Sequence, residues 1–128
     1  MRIYPAIILN EPYISQVYYG IKTVETRMRR LSQLTGDVVF CCDKGISKGS
    51  TFAGKAVCLV NVGEMRAMTD HDAKAACIEN APGRIAYPLS NLRHFSYMFD
   101  VKDYAVTKNW QGIFQLQVPD FVEIINPK

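Results

Sequence analysis

One stretch, Gly20-Ile21-Lys22-Thr23-Val24-Glu25-Thr26-Arg27, constrains this chain more than any other, because the hydrophobic period changes within it. Before the glycine, Ile14, Val17, Tyr18 and Ile21 recur at i, i+3, i+4 and i+7, the spacing of one buried helix face. Asn10 or Glu11 can start that helix, with Pro12 in its first turn, where a missing N–H costs nothing. Gly20 supplies the left-handed residue that commonly closes a helix. After it the period becomes two, so Glu25 and Arg27 share one strand face while Val24 and Thr26 take the other. Lys22 sits at the corner. A lysine, a carboxylate and an arginine therefore gather at one helix-to-strand turn.

At 128 residues, 48% of them apolar, the chain has enough material for one domain, residues 1–128, with its own core. The net charge of +3 allows a polyanionic partner without demanding one. Cys41, Cys42, Cys58 and Cys77 show no CxxC spacing, and three lie in apolar runs, so reduced core thiols are expected. His71 and His94 have no companion at metal-ligand spacing, and no metal or cofactor is expected. The opening run MRIYPAIIL is broken by Pro5, too short to span a bilayer, and lacks a signal-cleavage pattern. The expectation is a cytoplasmic protein without a membrane partner.

In order, Arg2 to Leu9 reads as a strand, and Gly36-Asp37 as a turn before a buried strand from Val38 to Asp43. Lys44 to Thr51 is a loop. Ala53 to Gly63 is the longest strand candidate, with only rough alternation. Thr69 caps a short helix through about Cys77, favoured by Asp70 and Asp72 near its start, and Asn80-Ala81-Pro82-Gly83 ends that region. Short apolar pieces from Arg84 to Tyr97 suggest strand, as does Gly112 to Val118. Gly49 to Ala56 nearly matches a phosphate-binding loop, but Ala56 replaces the required hydroxyl and a strand follows where a helix is needed. Several short strands around two helices point to an α+β fold, a small mixed barrel.

The motif extends further. Pro12-Tyr13 followed by Gly20-x-Lys22-Thr23-Val24-Glu25-x-Arg27 resembles the signature of ASCH domains, which have a PUA-like β-barrel. Gly36-Asp37-Val38, Ala53 to Val60, Leu89-Ser90-Asn91-Leu92-Arg93 and Trp110-Gln111-Gly112-Ile113-Phe114 are similar to later blocks of the family, in the same order. The resemblance implies a PUA-like mixed β-barrel with flanking helices, and RNA or a modified nucleoside as partner, recognised beside the signature strand. It implies as ligand-binding residues Tyr13, Gly20, Lys22, Glu25, Arg27, Arg93 and Trp110.

One branch of the family removes the acyl group from acetylated cytidine with a lysine, a threonine and a distant glutamate. The matching positions are Lys22, Glu25 in place of the threonine, and Glu79, with Asp70 and Asp72 competing for the last role. Glu25 removes the hydroxyl and, as a neighbouring carboxylate, tends to keep Lys22 charged. Binding is therefore expected over catalysis. The alternatives are a hydrolase, either an amidohydrolase or a ribonuclease, in which Glu25 is the acid/base group and Lys22 stabilises an oxyanion, or a protein-interaction module. Taken without the resemblance, Lys22, Glu25 and Arg27 read as an ion pair at a barrel rim, and Trp110 as core rather than a base-stacking platform.

Overall fold

The computed structural model describes residues 2–79, 81 and 83–127. The elements run β1 (Arg2–Leu9), α1 (Tyr13–Tyr18), β2 (Val24–Arg27), β3 (Gly36–Cys42), β4 (Lys55–Val62), β5 (Arg66–Ala67), α2 (Asp70–Ala76), β6 (Ile85–Asp100), α3 (Val101–Tyr104), β7 (Phe114–Val118) and β8 (Ile124–Ile125). The strands form one mixed sheet in the order β2-β6-β4-β3-β1-β7, with β5 and β8 also pairing with β6. β1 runs parallel to β3; the other ladders among the described residues are antiparallel.

The α+β class expected from the sequence is present, but the sheet is not closed into a barrel. β2 is four residues long and pairs all four with Ile85–Pro88 of β6, while the five residues of β7 pair with β1. Among the described residues no ladder joins β2 to β7. Segments 27–33 and 109–113 instead border an open groove of about 710 Å³.

Alternation explains the two cores. On β3, Val38, Phe40 and Cys42 enter one cluster with Ile7, Leu9, Ile14 and Val17, while Val39 and Cys41 enter the other with Phe95, Phe114 and Leu116. Both faces are covered, so β3 reads as a continuous apolar run. β4 follows the same plan with a slip: a register shift lies between Ala56 and Cys58, and Val57 and Cys58 both join the first cluster. That shift is why the alternation there is rough. The longest strand is β6, with sixteen residues, not the Ala53–Gly63 stretch. A third helix, α3, adds to the two that the sequence suggests.

Cys41, Cys42 and Cys58 are free and buried, and Cys41 and Cys42 face opposite clusters. Burial pushes the Cys58 thiol up to about 12 and the Cys41 thiol well above its ordinary value, so both behave as apolar core groups. The phosphate-loop look-alike is a series of turns running straight into β4, as the sequence suggests.

Both helix boundaries beside the motif have clear causes. Ser15 donates its backbone N–H and its hydroxyl to the Glu11 carboxylate at the start of α1. Gly20 then turns left-handed at φ +75, and the amides of Ile21 and Lys22 both donate to Gln16 O. A Cβ at Gly20 would meet only Leu92 Cδ2, at 3.9 Å. Gly20→Ala is thus expected to lower stability through backbone strain alone, by about 1 kcal/mol. Denaturant titration checks this, and an unchanged midpoint would contradict it. α2 is capped by Thr69, whose amide donates to Asp72 Oδ2 at 2.8 Å, and Cys77 closes it in the left-handed region. The ending expected at Asn80-Ala81-Pro82-Gly83 lies beyond that point, and Asn80 and Pro82 fall outside the described residues.

Candidate functional site

The turn after Gly20 brings Lys22 inward. Its side chain is almost fully buried, at 3% exposure, and its Nζ donates to Ala76 O, the last residue of α2, at 2.6 Å. The same Nζ lies 3.4 Å from Glu25 Oε1 and 5.3 Å from the centre of the Tyr13 ring. Glu25, itself only 6% exposed, accepts a hydrogen bond from Arg27 Nε on its other oxygen at 2.9 Å. Arg27 Nη2 reaches back toward Ile8 O at 3.5 Å. The period-two strand thus produces a row: amine, carboxylate, guanidinium. Glu25 is clamped between two cations on one face, which is the face the alternation assigns.

This row forms one wall of a cleft of about 470 Å³, inside the range of about 300–1,000 Å³ typical of small-molecule sites. Tyr13, Lys22, Glu25, Arg27 and Glu79 all line it, so the structure brings five of the expected residues together. Gly20, Arg93 and Trp110 stand outside it. Gly20 borders a separate cavity of about 210 Å³ on the other side of Lys22. Arg93 lies on β6 opposite Leu59, and its guanidinium is taken by Asp37 at 2.5 and 3.1 Å. Trp110 stacks near Phe114 at 5.9 Å, gives its indole N–H to Thr107 O, and borders a third cavity of about 160 Å³. Of the competing carboxylates, Asp72 is taken up by the cap of α2 and by Arg66.

Arg84, which the sequence does not single out, lines the cleft beside Thr26. Its Nε and Nη2 donate to Thr26 Oγ1 at 3.0 and 2.9 Å, and Nη2 also to Thr26 O at 3.2 Å. No carboxylate pairs with it among the described residues. No local signal marks Arg84. Only the antiparallel pairing of Ile85 with Arg27 carries it to the signature strand.

Electrostatics in the cleft differ from the sequence expectation. Burial lowers the Lys22 amine below its ordinary value, and the opposing pull of Glu25 does not cancel it; Arg84 adds to the lowering. The Lys22 Nζ donates to Ala76 O, and it gives up a proton more readily than a surface lysine. Such a group can donate to a ligand or exchange a proton with one. Among the described residues, the lining holds three basic side chains, Lys22, Arg27 and Arg84, against two carboxylates, Glu25 and Glu79.

His94 is bound up elsewhere, with Nε2 2.9 Å from Tyr18 O and its ring stacked on Tyr18 at 4.2 Å. Among the described residues no cluster of three or more His, Cys, Asp or Glu is gathered for a metal. No helix among them is long and apolar enough to cross a membrane.

Among the described residues, the eight-stranded mixed sheet with its cleft beside the glycine-to-arginine strand has the fold of a solved ASCH protein. The chain is similar to a crystal structure of a point mutant of ZmASCH from Zymomonas mobilis, with a TM-score of 0.62 over 88% of this chain and 87% of that one, at 12% identity. No family model matches the sequence. No curated protein matches it either.

Proposed function

We propose that the cleft recognises one nucleoside unit, either within RNA or as a free modified nucleoside. The observation that carries this reading is the buried row Lys22–Glu25–Arg27 on the wall of a cleft of small-molecule size. Donor, acceptor and donor stand in sequence, which suits the alternating polar edge of a nucleobase. Desolvation makes each such contact worth more than on an open surface. Arg84, held by Thr26, adds a cation suited to a phosphate or a ribose oxygen.

A second reading is favoured by one observation, the burial of Lys22 in the cleft wall, which lowers its amine. A lysine that releases its proton readily is suited to proton transfer in an amidohydrolase acting on acylated cytidine. Against it, Glu25 replaces the hydroxyl used in that chemistry and has both oxygens engaged by cations.

Melting curves of the native protein with each of the four nucleosides and acetylated cytidine test both readings. At least one is expected to raise the melting temperature. Lys22→Met and Arg84→Ala should each weaken that ligand by about 10–100-fold, the worth of a charged hydrogen bond. No shift with any of them would sink the binding reading. Acetate release from acetylated cytidine should be slight in the native protein and no lower in Glu25→Thr. Robust native turnover, lost in Lys22→Met, would establish the hydrolase instead.

A further inference from the structure

The groove of about 710 Å³ at the open side of the sheet adjoins the cleft, because Arg27 lines both. Its walls are the segments 27–33 and 109–113, where Arg27, Arg29, Arg30, Gln33, Asn109 and Gln111 line it along with the apolar Met28, Leu31 and Ile113. Among the described residues no carboxylate lines it. The other described arginines have their guanidinium groups engaged: Arg66 by Asp72, Arg93 by Asp37, Arg27 by Glu25, Arg84 by Thr26, and Arg2 by the carbonyls of Pro119 and Val122. Among the described residues, neither Arg29 nor Arg30 has such a partner.

The segment carrying these arginines is held in place. The buried Tyr87 donates its hydroxyl to Arg29 O at 3.2 Å and accepts from Leu31 N–H at 2.8 Å, so one side chain from β6 pins the backbone on both sides of Arg30. Fixing the backbone lowers the ordering cost when the exposed arginines engage a ligand. Unmatched guanidinium groups beside amide side chains suit phosphate and sugar oxygens.

We propose that this groove carries the sugar–phosphate backbone of a single-stranded RNA whose one nucleotide occupies the cleft, an inference that rests on the cleft reading above. Arg27 is the hinge point of the path. Its guanidinium holds Glu25 on the cleft wall and the residue also lines the groove, so a chain leaving the cleft along this side would meet Arg29 and Arg30. The partner is then a polynucleotide, and a free nucleoside fills only part of the site.

Binding of the four homohexaribonucleotides and the four matching nucleosides to the native protein tests this, over a series of salt concentrations. The best hexamer is expected to bind tighter than its nucleoside by about tenfold or more at low salt. The double variant R29A/R30A should lose that advantage while binding the nucleoside as before. Its plot of log affinity against log salt should be shallower by about 1.4, at about 0.7 for each phosphate no longer neutralised. Both positions are exposed, so an unchanged melting temperature will show that the fold is kept.

A hexamer no tighter than its nucleoside, or a double variant with the native slope, would overturn the groove and leave the cleft reading standing. If no nucleoside binds and Lys22→Met leaves the hexamer unaffected, the cleft reading falls and takes the threaded path with it. Poly-glutamate bound as tightly as the best hexamer, with the same slope, would also overturn the proposal, since the groove would then be a general polyanion surface.

Discussion

Glu25→Ala is expected to destabilise the protein by about 3–5 kcal/mol, the usual consequence of removing one member of a buried ion pair. Glu25 faces Lys22 on one oxygen and Arg27 on the other. Arg27 is about a quarter exposed and can be solvated in its absence, but Lys22 is buried and cannot. In the variant burial, the largest influence on the amine, goes on lowering it, and Arg84 acts in the same direction. Lys22 then has a folded pKa below its unfolded value, so between the two the unfolded state binds more protons and stability rises with pH. Part of the loss should therefore be recovered as pH climbs from neutral toward about 10.4, the unperturbed value. Urea denaturation at several pH values measures both effects. A loss under about 1 kcal/mol, the size of an exposed pair, or a deficit that stays flat with pH, would show that Lys22 is solvated in solution.

The second large effect is expected at Asp72, some distance from the cleft wall but tied to it. The carboxylate accepts from the Thr69 amide at 2.8 Å and the Thr69 hydroxyl at 3.1 Å, and is gripped by both terminal nitrogens of Arg66. Asp72→Ala removes the carboxylate half of the capping box with Thr69 and the charged hydrogen bonds together, which should cost about 2–3 kcal/mol. Arg66 is 48% exposed, so its Coulomb share is discounted for screening and the cap supplies most of the loss. Arg66 holds the Asp72 carboxyl well below the usual carboxylate range. Its stabilisation is hence complete above the unfolded value of about 3.9 and is lost as pH falls through the lower folded one. The native–variant difference should stay level from neutral pH down to about 4 and shrink only below it. Hydrogen exchange gives a local readout, because the Thr23 amide donates to Ala75 O and should lose protection in the variant. An equally protected Thr23 would show that α2 docks without the Asp72 half of its capping box.

How far the sequence reveals this architecture depends on the range of the interactions involved. The change of period at Gly20 is local, so the end of α1, β2 and the shared face of Glu25 and Arg27 are all readable from it. The cap of α2 is readable for the same reason. β6 does not read as one long strand. Its first four residues pair with β2, Leu89 onward with β4, and His94-Phe95 also with β8, with register shifts along the β4 ladder, so no single alternation survives. Arg93 stands outside the cleft, because Asp37, on a different strand, claims the guanidinium. Arg84 reaches the cleft across 58 residues of sequence, and no periodicity carries that information. The proton affinity of Lys22 escapes the sequence for a related reason. Its carboxylate neighbour is visible at three residues' spacing, whereas the burial that outweighs it comes from α2 and Tyr13.

The bond from Lys22 to the Ala76 carbonyl ties the wall of the cleft to the end of α2. A guest that draws the amine away from that carbonyl must weaken the helix by as much as the helix resists it, and a guest that uses the amine without displacing it must tighten the helix by the same reciprocity. α2 is in turn tied through Asp72 to Arg66 on β5. A guest that moved the amine would thus be felt first at the end of α2, and hydrogen exchange at the Thr23 amide is where it would be read.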